Sequence, residues 1–505
     1  MARWFGPQSK NQGRAIPLAE GSESMKTQTR NLFTAVLGAS ALTLLGTTSS
    51  FALDLPTPLN YDMGPLGQWK VNGGIEAALS GWNNAVPKSI AGNGAAVGQG
   101  GSTTGDIDLT NAIFIINSHG NMFGNSLPLQ FHAWVGEPPQ TPVIGYTSPN
   151  VAPNLYSTEG KGFNQTGHAS FLFKGWATYQ PLDWFSIEGG RLPSVDGTEI
   201  GVGFLNLLPF LSDLNNMQTT VADGVQVNFM TPGDNSFYWG FVPGYGSTLT
   251  IRIADGYKTG HTNELGFLGL WNLTPDGSDF IAAYGHTRLS VVGNATNLQG
   301  GGGLNATPVG GFGMWNSNLI GLGTVYNLTH RLVLNAEVET QWLPTSDIPA
   351  ADRIAAQQDY YRWSTQWTFG YDAGIKKILG MPIRLGWAVQ PSYTYQHGNT
   401  SDPNANSFGN FLGLDALGGG STGGSAVQTN YGTFGAGSKM YAIQAGPSFQ
   451  FHNAFLRPTI AWTHLASVDQ GFAYGNSGAD HDQVVLMLDF GFLLGQQEDT
   501  NDGQH

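Results

Sequence analysis

The sequence predicts an all-β protein: a single transmembrane antiparallel up-and-down β-barrel of about sixteen strands, within a range of about 14 to 18. Three observations support it: charged residues make up only 11% of the 505, several segments alternate apolar and polar residues, and short connections alternate with long ones. Soluble domains carry about 25% charged residues, so a surface this poor in charge is typical of a chain that faces lipid. Disorder is excluded because 40% of the residues are hydrophobic, including 14 Trp and 28 Phe.

Residues 360–374 show the alternation most clearly. Tyr361, Trp363 and Tyr371 share an apolar face with other large side chains, and the alternate positions from 362 to 372 carry polar residues or glycine. From Tyr361 to Tyr371 the strand rises about 26 Å, at about 3.4 Å per residue and a tilt of about 40°. Membrane barrels carry an apolar band about 25 Å tall between aromatic girdles, so we expect these three residues and Tyr393 to form part of the girdles.

The same alternation recurs along the chain, at 69–80, 127–135, 168–180, 248–254, 331–342, 383–394 and 440–451. Short links at 180–183, 327–330, 376–381 and 452–454 are interspersed with long Gly-, Ser- and Asn-rich connections at 83–105, 137–166, 192–222, 343–359 and 397–438. Short periplasmic turns and long extracellular loops are typical of bacterial barrels, whose strand number is even. An even count requires residues 237–246 to belong to a turn. A sheet of about sixteen strands must close in lipid and leaves an aqueous lumen.

Residues 25–52 have the pattern of a secretory signal peptide. Lys26 and Arg30 form a basic region, 32–45 form an apolar core too short to span a bilayer, and Ala52 ends a cleavage signal. We therefore expect translation to start at Met25. The expected parts are an upstream extension that is untranslated or disordered, the signal peptide, the barrel and an acidic periplasmic tail: residues 1–24, 25–52, 53–495 and 496–505.

The composition also excludes several kinds of chemistry. No cysteine is present, which excludes disulfides, Cys-ligated metals and covalently attached haem. The net charge of −14, without a basic patch, argues against nucleic acid as a partner. His168 near Ser170 and His286 near Thr287 are the only loose candidates for a hydrolase, and single strand histidines are more often structural. We expect no enzyme, no cofactor and no metal site.

The third long connection begins with "GGRLPSVDGTE" at 189–199, which lacks the Lys-Ser/Thr ending of a phosphate loop. Residues 200–211, which follow it, are too apolar to lie in water. We therefore expect this loop to fold into the barrel, with its apolar side chains packed on the wall: Phe204, Leu205, Leu207, Leu208 and Phe210. Its carboxylates are expected to face wall arginines. The predicted constriction consists of Arg191, Asp196, Glu199, Asp213, Arg252, Glu337, Glu339, Arg362 and Arg384.

The stretch 189–199, followed by "ADGVQVNFM" at 222–230, resembles the signature of the β-barrel porin-2 (OmpL-like) family of Gram-negative outer membranes. The resemblance covers roughly residues 184–230. It implies passive diffusion of small hydrophilic solutes or ions through a water-filled pore, with outer-membrane lipid as surroundings and a homotrimer by analogy with general porins. The charges on the polar faces are mixed in sign, so strong ion selectivity is not predicted. The last strand does not end the chain on an aromatic residue, which leaves Phe490 or Phe492 as the candidate assembly signal.

Two alternatives remain open. A barrel that does not conduct could act as an adhesin or as a scaffold for a partner protein, such as an electron carrier. A membrane-embedded hydrolase is the third hypothesis, and it requires a nucleophile, a histidine and an orienting residue at one rim.

Overall fold

The computed structural model shows one closed antiparallel sheet. It describes residues 53, 56–84, 103–119, 127–137, 144, 172–193, 195–199, 202–216, 218, 221–232, 246–256, 262–275, 277–290, 318–342, 361–397, 439–467 and 480–496. The strands are β1 (Leu59–Asp62), β2 (Gln68–Asn83), β3 (Thr103–His119), β4 (Leu129–Glu137), β5 (Leu172–Leu182), β6 (Phe185–Pro193), β7 (Val221–Pro232), β8 (Gly246–Gly256), β9 (Thr262–Asn272), β10 (Phe280–Ser290), β11 (Asn318–Thr329), β12 (Leu332–Trp342), β13 (Tyr361–Ile378), β14 (Met381–His397), β15 (Lys439–Phe451), β16 (Ala454–Ser467) and β17 (Asp482–Leu494).

The ring is closed by β2 and β17. Each strand from β2 onward pairs with the next, and β17 pairs with β2 from Val485↔Trp82 to Leu494↔Gly73. The described residues contain 17 strands, and β1 stands outside the ring: it pairs with the first residues of β2, beyond the end of β17. Sixteen strands therefore form the barrel, as predicted. Closure satisfies every sheet edge, which lipid requires.

The two faces of the wall differ in chemistry. On β13, Tyr361, Trp367 and Tyr371 are exposed on the outside, whereas Arg362 and Gln366 are buried on the inside. This follows from the period-two alternation of a strand. The lipid-facing side is apolar and the lumen-facing side is polar.

The two ends of the barrel differ in their connections. Two-residue turns at 183–184, 330–331, 379–380 and 452–453 mark the short-turn end. At 379–380 both residues have positive φ, which Gly380 adopts without strain and which suits a tight hairpin. The opposite end, the long-loop end, carries the connections 84–102, 138–171, 194–220, 291–317, 343–360 and 398–438. Of the stretch 237–246 expected in a turn, Gly246 begins β8 and the rest lies outside the described residues.

The predicted girdle residues lie on the outer face near both ends. Trp363 and Tyr393 are near the long-loop end, with ring centroids 4.8 Å apart, and Tyr393 lies 4.9 Å from the Tyr441 ring. Tyr371 lies near the short-turn end of β13. Aromatic side chains therefore lie on the outer face at two heights, one near each end of the barrel. In the described part of the chain no helix is long and apolar enough to cross a membrane.

The interior of the barrel is occupied by the connection between β6 and β7. We call residues 194–220 the third loop, counting the long connections from the one after β2. Its Phe210 forms an apolar cluster with Ile144 of the preceding long connection and with small or apolar wall residues: Ala78, Trp82, Ala442, Ala461, Val485 and Met487. The Ile144 N–H donates to the Leu211 carbonyl at 2.9 Å. The third loop therefore folds inward, as predicted.

Candidate functional site: the loop across the lumen

The third loop crosses the barrel and contacts the wall on both sides. Its first residues meet β9 to β12, and the loop then reaches β16 and β2 and returns by way of β13 to β12. The apolar side chains expected to pack inward are buried or half-buried in the lumen. Glycines make room for two of them, since a Cβ at Gly74 would lie 3.0 Å from the Phe204 ring and one at Gly370 would lie 2.8 Å from Leu207.

One contact holds the loop through a guanidinium, and we call it the arginine anchor: Arg457, Glu76, Asp489 and the carbonyls of Gly203 and Asn206. Arg457 on β16 bonds Asp489 on β17 through Nε and Glu76 on β2 through a terminal nitrogen, both at 2.6 Å. Its other terminal nitrogen donates to the loop carbonyls of Gly203 at 3.2 Å and Asn206 at 2.9 Å. The rigid fork of arginine thus joins two wall carboxylates to the backbone of the loop.

Further polar contacts hold the middle of the loop. Asp213 pairs with Arg362 of β13 and accepts a hydrogen bond of 2.6 Å from Thr394 of β14. Gln390 of β14 donates to Glu199 at 2.7 Å, and Gln444 of β15 donates to the Phe210 carbonyl at 2.9 Å. Three adjacent strands, β13 to β15, therefore bind the loop at Glu199, Phe210 and Asp213.

A different contact, which we call the carboxylate anchor, consists of Glu337 and Glu339 of β12, Tyr284 of β10, and the loop residues Thr198 and Gln218. The Thr198 amide donates to Glu337 at 3.0 Å, and its hydroxyl donates to the same carboxylate at 2.8 Å. Gln218 donates to Glu339 at 2.6 Å and to Glu337 at 3.1 Å. Tyr284 lies 2.7 Å from Glu339 Oε1 and also contacts Glu337 Oε1.

Glycines on β11 make the carboxylate anchor possible. Tyr284 stands opposite Gly321, which stands opposite Glu339, so the three positions lie side by side on adjacent strands. A Cβ at Gly321 would overlap the Tyr284 ring, and one at Gly323 would overlap Thr198. Because β11 carries no side chain there, Tyr284 extends across it to β12.

The start of the loop is held by charge. Asp196 lies 2.8 Å from His286 of β10, with both side chains fully buried. Burial by itself would raise the pKa of the Asp196 carboxyl, but the neighbouring His286 outweighs it, and the pKa of Asp196 lies below its usual value. Next to this pair, Arg252 binds Glu264 and donates to the Pro193 carbonyl at 2.7 Å.

The prediction for Arg191 was wrong. Arg191 faces outward, because Glu188 faces the lumen and residues an odd number of positions apart point to opposite sides of a strand. Its guanidinium lies 3.2 Å from Asp223 and donates to the Leu172 carbonyl at 3.0 Å. It therefore cannot line the constriction.

The placement of Arg384 at the constriction was also wrong. Arg384 pairs with Asp372 at 3.0 Å near the short-turn end. Gln390, which contacts the loop, lies six residues further along β14, or about 20 Å at about 3.3 Å per residue.

Of the loop carboxylates expected to face arginines, Asp213 does so, through Arg362. Asp196 instead meets a histidine, and Glu199 accepts hydrogen bonds from Gln390 and from Ser212. Arg252, Glu337 and Glu339 all lie on the inner wall at the height of the loop.

The residues that the prediction missed are those whose partners are distant in the chain: Thr198, Gln218, Tyr284, and Arg457 with Glu76. Alternation places Arg457 on the inner face, but no sequence signal pairs it with a loop carbonyl more than 250 positions away. Among the hydrolase candidates, Thr287 follows His286 in a strand and faces the other side, while His168 and Ser170 lie outside the described residues. Within the described ranges no group of three or more His, Asp or Glu side chains could hold a metal ion.

No protein-family model matches the chain, and no curated protein matches it. The resemblance to the OmpL-like family therefore stays a prediction. Solved structures share the barrel at low similarity: the DcaP outer-membrane channel of Acinetobacter baumannii is 9% identical with a TM-score of 0.45, covering 86% of this chain and 99% of that one. The anion-selective porin from Comamonas acidovorans is 11% identical, with a TM-score of 0.44 and coverages of 84% and 99%. OmpF of Salmonella typhi in complex with daunomycin is 13% identical, with a TM-score of 0.44 and coverages of 86% and 100%. At such values the likeness says nothing about what passes through this barrel.

Proposed function

We propose that the protein is an outer-membrane porin, through which small hydrophilic solutes or ions diffuse passively. One observation carries the proposal: a closed ring of strands is apolar outside and polar inside, and a loop from one end narrows its interior. No bond is broken in this function. The chain supplies a path, and its charged side chains orient what passes.

The wall chemistry supports this proposal on both faces. The outer face exposes large apolar side chains such as Ile253, Leu322 and Leu486, which water would not tolerate over so large an area but lipid does. The inner face carries amides, hydroxyls and charges, and a barrel of 16 to 18 strands is wide enough for water. The long-loop end would face the outside of the cell and the short turns the periplasm.

The mature chain would begin after a signal peptide at 25–52, with 53–495 as the barrel, 496–505 as a periplasmic tail and 1–24 as an upstream extension. A homotrimer in outer-membrane lipid is the proposed assembly. Charges of both signs lie at the height of the loop. The positive side chains are Arg252, Arg362 and Arg457, and the negative ones include Glu76, Glu264 and Asp489. We therefore propose small solutes and ions of either charge as the permeants.

A second function is favoured by the burial of the inner wall. The side chains of Arg252, Arg362 and Arg457 are at most 2% exposed at the height of the loop. A loop held this closely could close the barrel, and the protein would then act as an adhesin or as a scaffold for a partner protein.

Single-channel recording in planar bilayers separates the two. The mature chain (53–505) is compared with a variant lacking residues 200–211 and with a control in which Arg191, on the outer face, is replaced by Gln. We expect discrete steps in the nanosiemens range, as for a wide aqueous pore. Larger steps are expected in the deletion variant, and steps of the original size in Arg191→Gln.

The remaining outcomes decide between the two proposed functions. Conductance in the deletion variant alone would show that the loop closes the barrel and would favour the second function. No conductance from any of the three folded proteins would contradict the porin function. Heat-modified migration of each protein in gel electrophoresis checks that the barrel has folded.

A further inference from the structure

The carboxylate anchor has one more hydrogen-bond contact than it has donor hydrogens if both glutamates are ionised. We propose that Glu337 and Glu339 hold one exchangeable proton between them beneath the third loop, and that its release makes the pore more cation-selective as the pH rises. The change in ion selectivity rests on the proposed porin function, whereas the shared proton does not.

The Tyr284 hydroxyl makes more contacts than it has hydrogens. The Tyr284 hydroxyl has a single hydrogen, yet its oxygen contacts both Glu337 Oε1 and Glu339 Oε1, the latter at 2.7 Å. Two oxygens at that distance without a hydrogen between them would meet lone pair to lone pair. Tyr284 can donate to one carboxylate only, so the other contact needs a hydrogen carried by a carboxyl group.

In the part of the chain that the structure describes, no other group in contact with the pair supplies this hydrogen. Both hydrogens of the Gln218 amide nitrogen are already directed at the pair, one to Glu339 Oε1 and one to Glu337 Oε1. The Thr198 amide donates to Glu337 Oε1. The single hydrogen of the Thr198 hydroxyl can go only to Glu337 Oε2 or to Asn335 Oδ1, both at 2.8 Å, and not to the oxygens that Tyr284 contacts. A protonated carboxyl therefore completes the set.

No positive side chain among the described residues is hydrogen-bonded to the glutamate pair. All the hydrogen-bond partners of Glu337 and Glu339 in the part of the chain that the structure describes are neutral: Thr198, Gln218 and Tyr284. Both glutamates are at most 2% exposed, and Oε2 of Glu339 has no hydrogen-bond partner. Two adjacent buried carboxylates without a cation repel each other, and a shared proton removes one of the charges.

Most of the surrounding charges are already paired. Around the pair, β11 contributes only Gly321 and Gly323, and β13 places Ser364 and Gln366 directly opposite it. The other titratable or charged side chains that face this region are His286 on β10, Arg362 on β13, Asp196 and Glu199 on the loop, Glu264 on β9 and Arg252 on β8. His286 pairs with Asp196, Arg362 with Asp213, and Arg252 with Glu264. None of these ion pairs includes Glu337 or Glu339, so protonation is what limits the charge of the glutamate pair.

The chemical step is a simple dissociation. The carboxyl O–H bond breaks, the proton passes to water in the lumen, and the bonding electrons stay on the carboxylate. The wall under the loop then carries two negative charges instead of one. Since the sign of the charge that dominates a constriction sets its ion preference, cations should be favoured after this step.

The first test measures reversal potential in a KCl gradient across a pH series. The wild type should show a shift towards the K⁺ equilibrium potential as pH rises, and Glu339→Gln should lose that shift. The matched control is Glu199→Gln, the same change on a loop carboxylate that accepts hydrogen bonds from Ser212 at 2.9 and 2.5 Å and from Gln390 at 2.7 Å. The control should keep the shift, and an equal shift in Glu339→Gln would overturn the proposal.

The second test does not need an open pore. Infrared difference spectra of the folded barrel, recorded across the same pH series, should show loss of a protonated carboxyl band in the wild type and in Glu199→Gln. That band should be missing from the difference spectrum of Glu339→Gln. Identical spectra in all three would overturn the shared proton, even if all three conduct, whereas a normal band in a silent barrel would overturn only the porin function.

Discussion

The arginine anchor and the carboxylate anchor hold the same loop by opposite means. Arg457 places a positive charge between two carboxylates and binds the loop through its backbone carbonyls. At the carboxylate anchor the negative groups are on the wall, the donors from the loop are neutral, and no cation is in contact with the pair in the described part of the chain. A contact centred on an always-charged guanidinium should hold at any ordinary pH, whereas one built from a carboxyl pair can change with pH.

The largest expected effect is at the arginine anchor. Arg457→Met removes the guanidinium and leaves Glu76 and Asp489 buried against each other, which should lower the free energy of unfolding by about 3–5 kcal/mol. Urea titration of the folded barrel, followed by tryptophan fluorescence, measures this loss. The control is Arg384→Met, whose pair with Asp372 is 27% and 20% exposed and should contribute about 0–1 kcal/mol. Equal losses in the two variants would mean that the arginine anchor stabilises the barrel no more than the Arg384–Asp372 pair does.

The packing of the loop on the β2 side of the wall should come next. Phe204→Ala removes a buried ring that lies over Gly74, and we expect a loss of about 3 kcal/mol, at the low end for such cavities because the loop can partly collapse. The same titration measures it, together with the open-channel noise of single-channel records, which should rise. Phe451→Ala, on a side chain that is 37% exposed on the outer face, should cost less. A larger loss in Phe451→Ala would contradict the role of the loop packing.

A smaller effect should appear at the carboxylate anchor. Gly321→Ala places a methyl group where the Tyr284 ring lies, and the strain should lower the free energy of unfolding by about 1–3 kcal/mol. It should also move the pH of the selectivity change, since Tyr284 no longer reaches both glutamates. Gly269→Ala is the control, because a Cβ there would lie 3.7 Å from its nearest neighbour. No difference between these two alanine variants would show that the open space over β11 is not needed.

The smallest effect is expected outside the lumen. Arg191→Gln breaks an ion pair whose Asp223 partner is 49% exposed, so the free energy of unfolding should change by about 0–1 kcal/mol. Conductance and reversal potential should not change. A clear change in selectivity would mean that Arg191 reaches the path of the ions after all.

Alternation in the sequence was sufficient to predict which side of most strands faces lipid. On β13 the period-two pattern from Tyr361 to Tyr371 predicts the outer face, and the structure shows these residues exposed there. The same rule, applied to Arg191, would have placed it outside, because it lies three positions from the inward-facing Glu188. The apolar run at 200–211 likewise predicted a loop that folds inward.

The contacts within the lumen could not be predicted in the same way. Gln390 and Arg384 lie on one strand and one face, but the distance along that strand decides that only Gln390 meets the loop. Tyr284 reaches Glu339 only because β11 lies between them with a glycine at that height. Local periodicity predicts neither the register of the strands nor the path of the loop.

The amino-acid pattern alone requires a closed sheet with an apolar outside and a polar inside, because the side chains of a strand alternate strictly and lipid permits no open edge. It also determined that the third loop must bury its apolar residues. The wall groups that hold that loop follow from the folded barrel instead, since pairs such as Asn206 with Arg457 are 251 residues apart and meet only when the ring closes. Closure brings β2 beside β17, and with it Glu76 beside Arg457 and Asp489.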